Sequence, residues 1–457
     1  MEGKSQYVAA IDVGTTKIVA LLGKRNENNK LEIEGFIRSE SKGIRRGEVL
    51  NPEEVSGVIS NVITELQKQT KIIFSEVFVG IAGQHIHIVR DRKGFNRTAS
   101  DARISASEVE TLKNEARNIA LDEGKQIIDV LALNYIVDNE MNIENPIGMP
   151  GKRLEANFNI MVGSIDSINR IETSIELSEL KLREIILEPI ASAAAVLHDD
   201  ELEAGVALVD IGGGTTDIAI FHDNRLRHLV VLPYGGYVIT KDIKEACGLN
   251  ERVAEDLKVQ YGMALSETIK EDKTIVIPTK IRGRDPKEIS MRNLANIIQA
   301  RMDEIIEAIM FEIHKSGFAD KLGYGIVITG GGAMLRHVEQ LFNFRTGRDV
   351  RIGYPGEHLA GISDSINEPC YATGVGLLMK GFESLDGCRE RMKVEFADEK
   401  PKKEEEKPIN EEQSEDKPEE DKPKKPGLRK TIEKIKVSLG SFFEEPESKM
   451  NELVTIK

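Results

Sequence analysis

The sequence predicts an α/β protein built in two lobes, and three observations carry that reading. Strand-like and helix-like stretches alternate along most of the chain, the pattern of layered α/β folds. The stretch Val8-Ala9-Ala10-Ile11-Asp12-Val13-Gly14-Thr15-Thr16-Lys17 returns far along the chain as Leu208-Val209-Asp210-Ile211-Gly212-Gly213-Gly214-Thr215-Thr216-Asp217. At 457 residues the chain also exceeds the ~250–300 at which one core stops growing.

The elements follow in order. Tyr7 to Leu22 reads as a strand hairpin. Asn51-Pro52-Glu53-Glu54 starts a helix, with Asn51 as N-cap, proline in the first position and acids in the first turn. Val55, Ile59, Val62, Ile63 and Leu66 form its apolar stripe. Glu76 to Ala82 is a short apolar strand. From 84 to 162 the character changes to a small α+β insertion. Gln84 to Val89 alternates like a strand, which puts His85 and His87 on one face without a third metal ligand nearby. Ser105 and Glu108 make a capping box for a helix through Ala120, and Ala156 to Val162 is another strand. Leu182 to Leu187 is a buried strand ending at Glu188-Pro189, with an alanine-rich helix from Ile190 to Leu197. A further substructure spans about 225–303 and holds a long helical pattern from Glu288 to His314. Ile326 to Gly332 is a strand feeding a glycine turn, with a helix expected from Met334 to Phe342.

Composition excludes several classes. A net charge of -15 argues against nucleic acid as a main partner, because phosphate neutralisation needs clustered Lys and Arg. The three cysteines show neither metal spacing nor a disulfide framework, which suits a reducing cytosol. The N-terminus does not read as a signal peptide, and no run of about 18 apolar residues suggests a membrane span.

The repeated stretch carries the chemistry. In each copy an apolar strand delivers a carboxylate, Asp12 or Asp210, to a glycine turn with hydroxyls. Such a turn lets backbone amides approach phosphate oxygens, and a strand-end carboxylate can hold a hydrated magnesium ion. Two such grips make a clamp for a polyphosphate; taken alone, the first is equally a plain hairpin corner. Neither matches a P-loop or a dinucleotide fingerprint. Thr329-Gly330-Gly331-Gly332-Ala333-Met334 could seat an adenosine and its α-phosphate. Glu188 could orient a water against a terminal phosphate, or be a solvated carboxylate at a turn. Glu255 and Lys258 share a helix face, either bracketing a ribose and an adenine edge or forming an exposed ion pair.

The last part of the chain differs. Between Glu395 and Pro426 apolar residues almost vanish, and five prolines with dense mixed charge replace them, a disorder signature. As a coil this stretch reaches roughly 30 Å. In the helix that follows, Leu428, Ile432, Ile435, Leu439, Phe442 and Phe443 fall on one arc, with Arg429 and Lys436 at its flanks. A basic helix with a sharp apolar face after a disordered linker fits an interfacial anchor on anionic lipid. Docking on its own domain or on a partner protein is the alternative.

In order along the chain, the two turns, Glu188, Glu255 with Lys258, the Gly330 turn and Tyr371-Ala372-Thr373-Gly374-Val375-Gly376 resemble the motifs of the actin, Hsp70 and sugar-kinase superfamily. They match its two phosphate motifs, connecting segments and adenosine motif over about residues 1–385. Within it, the insertion at 84–162 and the linker-plus-helix tail resemble the FtsA family of bacterial cell division proteins. The resemblance implies an actin-like two-lobed ATPase fold. The first lobe would be 1–83 and 163–195, the SHS2-like insert (subdomain 1C) 84–162, and the second lobe 196–385, with its outer part near 225–303. A disordered charged linker, 386–426, and a membrane-targeting helix, 427–445, would follow.

The resemblance also implies ATP and Mg2+ as ligands. Asp12, Gly14, Thr15, Thr16 and Lys17 would hold the phosphates from one side, and Asp210, Gly212, Gly213, Gly214 and Thr215 from the other. Asp12 and Asp210 would reach the magnesium through water, Glu188 would polarise the attacking water, and Glu255, Lys258, Gly330, Gly331, Gly332 and Met334 would line adenosine. Implied partners are FtsZ, further copies in head-to-tail filaments, anionic lipids and other division proteins, at the cytoplasmic side of the inner membrane at the septum, with at most slow ATP hydrolysis. The chain departs from expectation in having no Trp, which is favoured at the headgroup level. A soluble sugar or acid kinase on the same fold is the alternative, but it would need a base beside an acceptor pocket and has no use for the tail. An Hsp70-like chaperone would need a peptide-binding domain, and the tail argues against a pilus-assembly relative.

Overall fold

A computed structural model of the chain describes residues 6–26, 30–98, 103–278, 285–360, 365–388, 394–396 and 455–456. The charged linker from 397 on and all six apolar positions of the tail helix, Leu428 to Phe443, lie outside the described residues.

Two five-stranded sheets share one topology. In the first, Leu31–Glu40, Lys17–Arg25 and Tyr7–Val13 run as an antiparallel meander, and Glu76–Ile81 and Lys181–Leu187 continue it in parallel. In the second, Arg225–Leu232, Thr216–His222 and Val206–Ile211 form the meander, and Ile326–Thr329 and Val350–Ile352 continue in parallel. The repeated stretch is therefore the central hairpin of each sheet. Both its first strands are buried along their whole length, which suits strands covered on both faces.

The helix Pro52–Thr70 covers the first sheet with the stripe read from its sequence, buried at Val55, Ile59, Val62, Ile63 and Leu66. Asn51 caps it by accepting from the amides of Glu53 and Glu54. Two helices join the sheets. Glu188–Val196 leads from the first sheet toward the second, and Ala372–Cys388 returns and packs on Tyr7–Val13.

The insert lies between Glu76–Ile81 and Lys181–Leu187. It is an antiparallel sheet in the order Glu140–Ile143, Lys125–Val137, Arg153–Ser164, His87–Asn96, covered by the helix Ala106–Ala116. Strand periodicity puts Leu154, Ala156, Phe158, Ile160 and Val162 on one face, and all five enter a separate core with Leu112 and Ala116. The helix start carries the expected box: the Ser105 hydroxyl accepts from the Glu108 amide, and the Glu108 carboxylate accepts from the Ser105 amide. The insert also reaches the second sheet. Fully buried Asn159 donates to the Leu226 carbonyl at 2.7 Å, and Arg90 donates to the Arg227 carbonyl at 2.9 Å, satisfying groups on an otherwise open edge strand.

Some sequence readings shift. The insert strand begins at His87, because Gln84 and His85 form a turn. The expected helix from Met334 is a 3-10 turn at Gly331–Met334, and the α-helix starts only at Val338, because His337 takes a left-handed backbone (φ 63°) between them. Order also runs past 385: the helix continues to Cys388, and Val394–Phe396 pairs antiparallel with Ile72–Phe74, whose edge offers unpaired backbone groups.

The stretch read as one substructure at 225–303 is divided. Lys273–Ser290 belongs to a second compact unit. There Thr274–Ile277 pairs with Lys287–Ser290, a strand where the helical pattern was expected to have begun, and with Thr455–Ile456. The helix itself runs Met291–Lys315, in the larger unit.

Candidate functional site

The two glycine corners close with the same bond. Gly14 N donates to Lys17 O at 3.0 Å, and at the equivalent place Gly212 N donates to Thr215 O at 2.9 Å. The corners face each other in contact. A methyl group at Gly213 would stand 2.5 Å from Thr16 Cγ2, and one at Gly214 would stand 2.7 Å from Thr15 Cγ2. This gives the glycine run a reason the sequence reading did not supply. Gly213 and Gly214 lack side chains because the threonines of the first corner occupy that space. Thr15 Oγ1 also accepts from Gly47 N at 2.8 Å, which ties the loop at 43–47 to the first corner.

Three carboxylates, Asp12, Asp210 and Asp217, are buried behind the corners, and Glu188 is half-buried beside them. Asp12 ends its strand, and Asp210 pairs in register with Asp217 across the second hairpin. Glu188 opens its helix above Gly80, where a methyl group would stand 2.9 Å from Glu188 Cγ. Burial pushes the Asp12 carboxyl up to about 6, with Lys17 opposing and Asp210 adding to the rise. Burial, then the charges of Asp12, Asp217 and Asp210, holds Glu188 well above the usual carboxylate range. Asp217 is held up by burial and by Asp210 and Asp12, and its Oδ1 has no hydrogen-bond partner among the described residues. Burial also raises Asp210, against the hydrogen bonds that Ser192 and Thr373 donate to it.

So much buried negative charge calls for a cation, and the residues fit a hydrated magnesium. Among the described residues no three His, Cys, Asp or Glu side chains are grouped to ligate an ion. Lys17 leaves the first corner toward the segment that leads into Ala372–Cys388. Its Nζ donates to the Cys370 carbonyl and lies 4.8 Å over the Tyr371 ring.

The third glycine turn packs on the second corner. Gly330 has φ 83°, and a methyl group there would overlap Asp210 Oδ1 and stand 2.6 Å from the Ile211 carbonyl. Gly332 packs on Ile211, Gly331 faces open space, and Met334 is exposed. Lys258 Nζ donates to Glu255 Oε2 at 2.7 Å, to Thr240 Oγ1 at 2.9 Å and to Gly236 O at 3.0 Å. The pair is thus present as an ion pair, and it joins the helices Gly236–Cys247 and Glu251–Tyr261 at the cleft.

All of these positions border one cavity of about 280 Å³: the two corners with Lys17, Glu188, Glu255, Lys258, Gly330 to Gly332 and Met334. Arg38, Gly47, Gly236 and Cys370 also line it and were not singled out in the sequence, and Thr373, quoted there only within the motif from Tyr371 to Gly376, lines it too. The Gly235-Gly236 pair after a strand was a usable signal; Arg38, Gly47 and Cys370 carried none. The two histidines are elsewhere. His85 pairs with Glu48 at 3.2 Å, with its basicity lowered chiefly by burial, and exposed His87 bonds the His85 carbonyl.

Comparison with known proteins places the chain. The family description "SHS2 domain inserted in FTSA" matches residues 83–162, and "Cell division protein FtsA" matches 207–376. The cell division protein FtsA of Pseudomonas aeruginosa is 35% identical over 378 residues, covering 83% of this chain and 90% of that protein. The chain belongs to the FtsA family of cell division proteins. The Escherichia coli FtsA is 31% identical over 386 residues, covering 83% of this chain and 91% of its own. Among solved structures, a PilM-PilN type IV pilus biogenesis complex matches with 14% identity and a TM-score of 0.58, covering 82% of this chain and 98% of that one. At that identity the likeness shows the fold alone, which in this FtsA-family chain is actin-like with the SHS2 insert.

Proposed function

We propose that this FtsA-family chain binds ATP with Mg2+ in the cleft and polymerises on the cytoplasmic face of the inner membrane, where it anchors FtsZ at the septum and helps recruit later division proteins. The observation that carries the nucleotide part is the meeting of two hydroxyl-bearing glycine corners over the buried Asp12, Asp210 and Asp217, with Glu188 beside them. In this reading the corner amides and the Thr15 and Thr16 hydroxyls hold the β- and γ-phosphates. Asp12 and Asp210 orient the water shell of the ion, whose charge offsets that of the phosphates and of the buried acids. Glu188, at the first turn of its helix, would accept a proton from a water near the terminal phosphate. Burial, with the charges of Asp12, Asp217 and Asp210 adding to it, raises its basicity, which suits a base. Gly330 to Gly332, Met334 and the Glu255–Lys258 pair would face adenosine. The proposed anchor is the helix at 427–445; among the described residues no helix is long and apolar enough to cross a membrane.

Two measurements test this. Asp210→Ala weakens Mg-ATP binding by tenfold or more, on the scale of losing a charged contact of about 1.5–3 kcal/mol; unchanged affinity contradicts the clamp. Removal of 427–457 abolishes cosedimentation with anionic liposomes while ATP binding stays, and a truncated chain that still cosediments refutes the anchor. Electron microscopy on lipid monolayers, with ATP and with or without FtsZ, reads filaments and recruitment directly.

A further inference from the structure

Two hydroxyls with no assigned role meet at the Asp210 carboxylate. Ser192 lies on Glu188–Val196 and Thr373 on Ala372–Cys388, the two helices that join the sheets. These helices cross so closely that a methyl group at Gly376 would overlap the Ala191 carbonyl. Beside that crossing, Ser192 Oγ donates to Asp210 Oδ2 at 2.7 Å, and Thr373 Oγ1 donates to the same oxygen at 3.2 Å. The two hydroxyl oxygens are 3.0 Å apart, and all three side chains are buried. The other carboxylate oxygen, Oδ1, faces the Gly330 turn.

An aspartate at a strand end rotates broadly about its last torsion unless it is held. Here both donors act on one oxygen, and they come from different helices. We propose that Ser192 and Thr373 are positioning residues that lock Asp210 with Oδ2 toward the helix crossing and Oδ1 toward the cleft, so that the ion-facing carboxylate is tied to both connecting helices at once. The proposal rests on reading the cleft as the Mg-nucleotide site. Rotation of one connecting helix against the other then changes the donor geometry at Asp210. Ion binding and the angle between the lobes become one equilibrium.

The test is ATP affinity of the full chain by titration calorimetry, once with Mg2+ and once with EDTA. Ser192→Ala and Thr373→Val each cut the tightening that Mg2+ confers by about tenfold, the scale of a hydrogen bond to a charged group, and change affinity in EDTA by far less. Thr373→Ser, which keeps the hydroxyl, retains the wild-type ratio. In the double variant the losses are not additive, because the two donors share an acceptor. An unchanged ratio in the single variants overturns the proposal. So does an equal loss with and without Mg2+, which would mean the hydroxyls only pack the crossing. If Ser192→Ala fails to fold, the pair Thr373→Val and Thr373→Ser decides alone. Wild-type protein that binds ATP regardless of Mg2+ overturns the positioning role but leaves the nucleotide site standing; no ATP binding at all removes both.

Discussion

Gly214→Ala tests the contact between the corners most directly. A methyl group at Gly214 would stand 2.7 Å from Thr15 Cγ2 and 2.8 Å from Thr15 Cβ, whereas carbon atoms rest at ~3.5–4.0 Å. About 0.8 Å must therefore be found. Backbone strain is not the issue, since Gly214 is not among the glycines with positive φ. Thr15 cannot easily turn away, because it is β-branched and its hydroxyl is held by Gly47 N at 2.8 Å. The corners must separate, and overpacking of this kind costs about 1–3 kcal/mol. The variant should melt several degrees lower and bind Mg-ATP roughly 5- to 150-fold more weakly, the same energy expressed as a ratio. Adding Thr15→Gly removes the obstruction. The double variant should regain most of its melting temperature but not its affinity, because the hydroxyl is gone. Melting curves and calorimetry on the three variants form a double-mutant cycle. A Gly214→Ala protein that melts and binds like wild type would refute the account of why this corner has no side chains.

Two further predictions concern charge. The Asp12 carboxyl titrates near 6 in the folded chain against 3.8 in the unfolded chain, so between those values the folded state binds the extra proton. Its contribution is fully present below pH 3.8 and is lost as pH rises through about 6, on the order of 3 kcal/mol. Melting curves of ligand-free protein at pH 4 to 7 should show Asp12→Asn gaining on wild type as pH rises; a constant difference would contradict the burial of this charge. In the insert, the Arg97 side chain is almost fully buried, donates to Glu108 at 2.7 Å and to the Gly151 carbonyl at 2.6 Å, and holds Glu108 down to about 2. Arg97→Ala removes the ion pair and the bond to the buried Gly151 carbonyl, and should destabilise the insert by about 1–3 kcal/mol. Hydrogen exchange should quicken in Arg153–Ser164 and leave Val206–Ile211 unchanged; uniform change across both would show that the insert does not open on its own.

What was legible in the sequence was local. The cap at Asn51, the box at Ser105 and Glu108, and the stripe from Val55 to Leu66 need only residues a few positions apart, and the structure has all three. The buried strands of both hairpins were visible because a strand covered on both faces is apolar throughout. Readings failed where one backbone angle overrode the pattern. A left-handed His337 breaks the apolar run after Met334, and a turn at Gln84-His85 cancels the alternation that seemed to align two histidines. The strand Lys287–Ser290 was read as helix because four residues carry too little periodicity to separate the two.

The sequence by itself determined that one device is built twice, since a strand, a carboxylate and a glycine corner are each encoded by adjacent residues. Only the tertiary structure decided what each corner meets: Thr15 and Thr16 against Gly214 and Gly213, Gly330 against Asp210, and Ser192 and Thr373 on one carboxylate oxygen. Those partners are set by how two sheets and two crossing helices pack. Packing joins residues far apart in the chain, Thr373 and Asp210 being 163 positions apart, through contact distances, and no spacing along the chain records them.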